Sequence, residues 1–143
     1  MFMGTYYPNM DESHRLNIPT NFKKYLETDL VISKSIDQDN KCLWLFNRSD
    51  WEKTSLKIEE LSIMKKANRF FQREFLGNSY ETTLDPKGRL VIAKELLPFA
   101  NITKECVVIG SGNRIEIWDK ETYDKYSAEN SSKLEEESEG IEY

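Results

Sequence analysis

The chain has 143 residues, of which 17 are aromatic (3 Trp, 7 Tyr and 7 Phe), and its net charge is −5. A chain of this length forms one compact unit or two small repeats with a shared core, and it should bury roughly 70% of its unfolded surface. The sequence shows no signal-type apolar segment and no apolar run of membrane length, so we expect a cytoplasmic protein with no membrane partner.

The negative charge is concentrated at the C-terminal end. Residues 124–143 contain seven acidic and two basic side chains, which accounts for −5. Residues 1–123 therefore contain 18 acidic and 18 basic side chains and are neutral on balance. Because an acidic segment can mask a basic surface elsewhere, the net charge does not exclude a nucleic-acid partner.

Residues that commonly carry enzyme chemistry are scarce. Cys42 and Cys106 are too few for a disulfide framework or a metal site, and we expect both to be buried, reduced thiols. His14 is the only histidine, so a metal site or a catalytic triad would lack partners. We expect no enzyme activity, no metal, no cofactor and no small-molecule substrate.

The N-terminal stretch predicts a strand, a charged loop, a second strand and a short helix. A β-prone run at residues 2–7, which Pro and Asn then weaken, predicts an edge strand or a bulged strand. The loop Asp11–Arg15 follows, and the alternation over residues 15–18 is typical of a half-buried strand. Thr20 is placed to cap a short helix over residues 21–26.

The next stretch predicts a hairpin that leads into a helix. Two apolar, β-rich runs at residues 30–33 and 42–46 enclose a turn cluster at residues 37–40. Ser49 and Glu52 have the spacing of a capping box, which would begin the helix.

A long region without Gly or Pro separates the two halves of the chain. Residues 51–76 predict one long helix, or two helices that meet near Ser62, with Gly77 as the C-cap. Its many large apolar residues indicate packing against another subunit. A basic stripe with helical spacing consists of Lys65, Arg69 and Arg73. Such a stripe is usually a solvated face, but it could also pair with a neighbouring subunit or widen a DNA footprint.

The second half repeats the first. Asp85–Arg89 and the residues after it have the same Asp-x-x-x-Arg-Leu-x-Ile frame as the first loop, 74 positions later. A short helix at residues 95–99 and a hairpin built from residues 106–109 and 114–118 follow in the same order. After Tyr126 the chain is rich in Ser and Glu, which predicts a helix that frays into an acidic tail.

The duplication predicts the fold class. Each half is too small to close a core alone, so we expect an α+β fold in which two β repeats interleave into one pseudo-two-fold barrel. We assign the repeats to residues 5–48 and 77–120, a connecting helix to residues 49–76, and a C-terminal helix with its tail to residues 121–143.

The charged loops allow two interpretations, and the first is structural. An Asp and an Arg four positions apart can pair and hold a tight turn. His14 and Gly88 occupy the same position in the two loops, and both residue types tolerate the left-handed conformation that such a turn needs.

The second interpretation is functional. Arg15 and Arg89 would point outward and use the guanidinium fork on phosphate or guanine. Asp11 and Asp85 would orient the arginines or cap the loop amides. Further donors toward backbone phosphate would come from Ser13, His14 and Lys87.

Both loops, the Phe-x-Gly start of each half (residues 2–4 and 75–77) and the run Ile-Glu-Ile-Trp-Asp at residues 115–119 resemble the MraZ family. That family belongs to the SpoVT–AbrB-type swapped-hairpin DNA-binding proteins, and the resemblance covers about residues 1–126. It implies a bacterial transcriptional regulator of the division and cell-wall gene cluster, located in the nucleoid. It further implies a ring-like homo-oligomer whose Arg15 and Arg89 contact repeated short boxes of double-stranded promoter DNA.

Two features depart from the family pattern. The first loop carries Glu12 and His14 where the family usually has a more neutral, Gly-containing stretch, and the tail is more acidic than expected. An alternative is therefore an antitoxin-like or scaffold protein of the same fold, which binds a protein partner through the acidic tail.

Overall fold

A computed structural model of the chain describes residues 1–37 and 39–136, which form eight strands and five α-helices. The strands are β1 (Phe2–Tyr6), β2 (Arg15–Asn17), β3 (Leu30–Lys34), β4 (Leu43–Asn47), β5 (Ser79–Thr82), β6 (Arg89–Val91), β7 (Cys106–Gly112) and β8 (Ile115–Asp119). The helices are α1 (Thr20–Lys23), α2 (Arg48–Glu59), α3 (Lys66–Leu76), α4 (Leu97–Ala100) and α5 (Lys120–Glu136), and a 3-10 turn (Lys94–Leu96) precedes α4.

The strand order interleaves the two halves. Six antiparallel strands form one sheet in the order β1-β7-β8-β4-β3-β5, and β2 pairs with β6 in a separate two-stranded ribbon. The first strand of each half thus pairs with the hairpin of the other half, β1 with β7 and β5 with β3. The sheet meets the prediction of a mixed α+β fold built from two interleaved halves.

The closed barrel is not confirmed. Within residues 1–37 and 39–136, β1 and β5 lie at the two ends of the sheet, and no strand pairing joins these ends. β2 and β6 have only three residues each and pair with one another, so they form a cover over the sheet and not a bridge between its edges.

Alternating residues of the sheet face two different cores. In β4, Leu43 and Leu45 belong to the first core, whereas Trp44 and Phe46 belong to the second. The first core lies under the ribbon, α1 and α4. The second is rich in aromatic side chains and lies under α2, α3 and α5, here called the helical layer. The ribbon and the helical layer therefore cover opposite faces of the sheet.

The connecting segment consists of two helices, α2 and α3. The prediction of a single helix over residues 49–76 is therefore wrong, and the alternative of two helices that meet near Ser62 is confirmed. Gln72 Nε2 donates to the carbonyls of Ile58 and Leu61, each at 3.1 Å, and so satisfies groups at the end of α2. Ser62 Oγ accepts from the amide of Met64 at 3.3 Å, an alternative to helical hydrogen bonding. The break lets both helices pack on the same face of the sheet.

The basic stripe does not lie on one helix. Lys65 precedes the first residue of α3, and Arg69 Nη1 donates to the carbonyl of Ile63 in the connection at 2.8 Å. α3 belongs to the helical layer, so Arg69 and Arg73 lie across the sheet from the ribbon.

Two predicted helix caps are wrong, and neighbouring contacts explain the second. Thr20 is the first residue of α1 and makes no capping hydrogen bond. α2 begins at Arg48, one position before Ser49, whose hydroxyl donates instead to Glu27 Oε1 at 3.0 Å. Asn47 also holds the segment after α1, because its side chain accepts from the amide of Glu27 at 2.7 Å.

Both cysteines are buried and free, as predicted. α5 continues through Glu136 and is anchored by Trp118, whose ring lies 5.2 Å from the ring of Tyr123 and 4.9 Å from that of Tyr126. The predicted fraying of the tail concerns residues 137–143, which lie outside the described residues. In the part of the chain that is described, no helix combines the length and apolar character needed to span a membrane.

Candidate nucleic-acid interface

The first arginine loop (Asp11–Arg15) is a tight turn closed by its backbone and by one carboxylate. The amide of Asp11 donates to the carbonyl of Arg15, and the amide of His14 donates to the carbonyl of Asp11, both at 3.0 Å. Asp11 Oδ1 accepts from the amides of Ser13 and Arg15, both at 2.9 Å. Asp11 Oδ2 accepts from Arg15 Nε at 2.7 Å, so the same carboxylate caps the turn and holds the guanidinium.

The second arginine loop (Asp85–Arg89) repeats this pattern. Asp85 Oδ1 accepts from the amides of Lys87 at 3.0 Å and Arg89 at 2.8 Å. Asp85 Oδ2 accepts from Arg89 Nε at 2.8 Å. The amide of Gly88 closes the turn on the carbonyl of Asp85 at 2.9 Å. Each of these bonds has its counterpart 74 positions earlier, so both loops follow one design.

The fourth residue of each loop has a left-handed backbone, with φ of 60° at His14 and 75° at Gly88. A turn followed by a left-handed residue is a common way to close a three-residue hairpin loop. The prediction that His14 and Gly88 supply this conformation is confirmed.

Both loop carboxylates are held in the charged form. The hydrogen bond from the amide of Arg15 is the main cause that lowers the pKa of Asp11 below its ordinary value of 3.8. The amide of Arg89 lowers the pKa of Asp85 in the same way. Hydrogen bonds to a carboxylate favour its ionised form. At neutral pH each arginine thus has a negative partner at its Nε.

The ribbon brings the two loops together. Leu16 lies opposite Leu90 in the β2–β6 pair, and both are fully buried in the first core. Side chains alternate along a strand, so Arg15 and Arg89 lie on the other, outward face. They are diagonal neighbours, because Arg15 lies opposite Val91, two positions from Arg89. Diagonal neighbours are about 7–8 Å apart, and their Cβ atoms are somewhat closer.

The two guanidinium groups present unused donors at this face. Each Nε donates a hydrogen bond to the aspartate of its own loop. Within residues 1–37 and 39–136, no acceptor lies within hydrogen-bond distance of the terminal nitrogens of Arg15 or Arg89. The Arg15 side chain is 37% exposed and that of Arg89 is 22% exposed. Both terminal nitrogens of each fork can therefore bind a bidentate acceptor such as a phosphate or the edge of a guanine.

The remaining predicted site residues flank these forks. Ser13 and Lys87 occupy equivalent positions, and both are exposed. His14 is half-buried, and its carbonyl accepts from the amide of Ile92 at 2.9 Å, which ties the first loop to the other half.

Two further residues at this surface were missed. Asn17 lies opposite Arg89 on the outward face, and the alternation of residues 15–18 contains the signal that could have identified it. Lys23 lies beside Gly88 of the second loop. No sequence pattern indicated this, because α1 reaches the other half only in the folded chain.

The fold and this surface define a duplicated α+β protein in which each half supplies one arginine loop to a common face. A protein-family model described as "MraZ protein, putative antitoxin-like" matches residues 1–74 and again residues 75–141. The two matches cover nearly the whole chain and divide it between the two halves. The chain belongs to the MraZ family.

Proposed function

We propose that the chain is a sequence-specific DNA-binding transcriptional regulator that reads double-stranded promoter DNA with Arg15 and Arg89. The observation that carries the proposal is the pair of forks on one face, each oriented by an aspartate and each with terminal nitrogens that no acceptor in the described part of the chain meets. An arginine held in this way loses little conformational freedom when it binds.

The ribbon geometry suggests what each protomer reads. As diagonal neighbours the two arginines lie about 7–8 Å apart, and base pairs are stacked about 3.4 Å apart. The forks therefore match two guanines separated by about two base-pair steps. Donors to the flanking phosphates would come from Ser13, His14 and Lys87.

One protomer supplies few cations, so we propose that the regulator acts as a homo-oligomer, in the form of a ring, on several copies of a short box. Linked copies bind more tightly because each further contact forms at a high effective concentration. The boxes would lie upstream of the division and cell-wall genes that the family resemblance implies.

The test is footprinting of the DNA upstream of this gene with purified protein. Protection of evenly spaced boxes is expected, and Arg15→Ala and Arg89→Ala should each remove it while the thermal unfolding temperature changes little. Arg69→Ala is the matched control, since Arg69 lies in the helical layer and donates to the carbonyl of Ile63. Unfolding of either loop variant would favour the structural interpretation of that loop.

A second candidate is a protein-binding role, which the words "antitoxin-like" in the family description favour. In this case the acidic segment would contact a protein partner. Deletion of residues 127–143 tests whether the acidic segment is needed for DNA binding, and it keeps Tyr126 and its contact with Trp118. Retained operator binding supports the proposed regulator, whereas loss of DNA binding would place the acidic segment in the DNA-binding assembly.

A further inference from the structure

The second arginine loop has a neighbour from the other half of the chain. A Cβ atom added to Gly88 would lie 2.4 Å from Nζ of Lys23, on α1. The absence of a side chain at Gly88 thus leaves room for an ammonium group against the loop. Lys23 belongs to the first half, so the site around Arg89 is built by both halves.

The Lys23 ammonium has no partner among the residues that the structure describes. Among residues 1–37 and 39–136 it makes no hydrogen bond and no ion pair, although its side chain is half-buried. Asp85, the acid of this loop, is engaged by Arg89 and by two amides. A cation held beside an arginine without a counter-ion is suited to receive an external anion.

The first arginine loop lacks this arrangement. The position 74 residues after Lys23 is Leu97, an apolar residue that is only 8% exposed. His14 replaces Gly88, and the exposed Glu12 adds a second acid. The first loop with Glu12 therefore has one cation and two acids. The second loop with the neighbouring Lys23 has three cations, Lys23, Lys87 and Arg89, and one acid, Asp85.

An open groove beside Lys23 gives an extended ligand room. Its volume is about 560 Å³, and its walls include Tyr6, Asn17 and Asn21. Asn17 also lies opposite Arg89 on the ribbon, so the groove adjoins the face that carries both forks.

We infer that Lys23 binds a phosphate beside the second arginine loop, and that this loop together with Lys23 anchors the DNA backbone more strongly than the first loop. The inference rests on the proposed function and deepens it. The ligand is a phosphodiester of duplex DNA, which the ammonium contacts as a point charge. Arg89 remains free to use its fork on a base edge.

The experiment measures binding of the full-length protein to two fluorescent duplexes, the upstream region and a random sequence of equal length, over a series of salt concentrations. The variants are Lys23→Gln and the control Lys24→Gln, which removes the same charge from the exposed neighbouring position. Thermal unfolding of each variant checks that the fold is intact.

A lost phosphate contact has a defined signature. In Lys23→Gln the slope of log affinity against log salt should become shallower by about 0.9 for each Lys23 that contacts a phosphate in the parent complex. When the salt concentration rises from about 50 mM to about 200 mM, both chains lose affinity for DNA. The factor by which the Lys23→Gln variant loses affinity should be about 3.5-fold smaller than the factor for the parent chain. Both duplexes should show the change, because phosphates carry no sequence information. Lys24→Gln should leave the slope nearly unaltered.

Two contrary outcomes can be told apart. In the first outcome, the parent protein binds the upstream duplex and Arg89→Ala abolishes that binding, but Lys23→Gln has the same salt slope as the parent or as Lys24→Gln. This result refutes the role of Lys23 and leaves the proposed function standing. If the parent protein binds neither duplex, or Arg15→Ala and Arg89→Ala bind like the parent, the proposed function is refuted and the inference with it.

Discussion

Replacement of Arg89 by lysine separates base reading from charge. Arg89→Lys keeps the positive charge but removes the planar fork and the Nε hydrogen bond to Asp85, which is 2.8 Å long. A lysine presents a compact ammonium on a flexible chain, so it can still contact a phosphate but cannot form a bidentate pair with guanine. The affinity for the operator should therefore fall, whereas the attraction to DNA in general should remain.

The magnitude follows from the two terminal nitrogens that Arg89 leaves unused. One bidentate arginine–guanine pair discriminates by about 1–3 kcal/mol, which is about 5-fold to about 150-fold in the dissociation constant for each engaged loop. The assay is fluorescence anisotropy with the operator and with a random duplex of equal length. The affinity for the operator should decrease by a factor within this range. The affinity for the random duplex should change less than about twofold, and the slope of its salt dependence should stay nearly the same.

Arg48→Lys is the matched control, because Arg48 pairs with Glu81 and Glu52 away from the ribbon. Equal weakening on both duplexes by Arg89→Lys would refute base reading and assign the fork to phosphate. A parallel fall in the thermal unfolding temperature would show that the fork mainly holds the loop.

Three further predictions concern the ribbon and its loops. Leu90→Ala should lower the unfolding free energy by about 2–5 kcal/mol in urea titrations, because Leu90 is fully buried, whereas the exposed Val91→Ala should cost less than about 1 kcal/mol. The lowered pKa values of Asp11 and Asp85 add stability that is complete above pH 3.8 and is lost as the pH falls through the folded-state values. The thermal unfolding temperature should thus drop in acid, and less steeply in Asp85→Asn. Glu12→Gln should raise affinity for any duplex at low salt, since it removes an exposed negative charge beside Arg15, and unchanged affinity would contradict this.

The sequence was sufficient to predict the loops because their geometry is local. An aspartate four positions before an arginine can reach the arginine's amide and its Nε within one turn, and the structure shows these bonds in both loops. The alternation after Arg15 likewise separates a buried Leu16 from an outward Asn17. Such features depend on a few neighbouring residues, so their pattern can be recognised without the fold.

Other features depend on contacts between distant segments, and there sequence patterns misled. The Phe-x-Gly echo has two conformations, because Phe2 lies in β1, whereas Phe75 lies in α3 and packs in the second core. The apparent capping box at Ser49 is replaced by contacts to Glu27, which α1 brings close. The position of Lys23 beside Gly88 has the same origin, since it exists only after the two halves interleave.

The layered arrangement also makes the proposed DNA-binding face compatible with a net charge of −5. α5, which carries acidic residues such as Asp124 and Glu129, packs through Tyr123 and Tyr126 on the second core, across the sheet from the ribbon. Two packed layers at about 10 Å each separate its axis from the ribbon by about 20 Å. The Debye length at physiological salt is about 8 Å, so these charges are largely screened from the arginines. We therefore expect local charges such as Glu12, Lys23 and Lys87 to contribute more to the field at the ribbon than the acidic residues of α5 do.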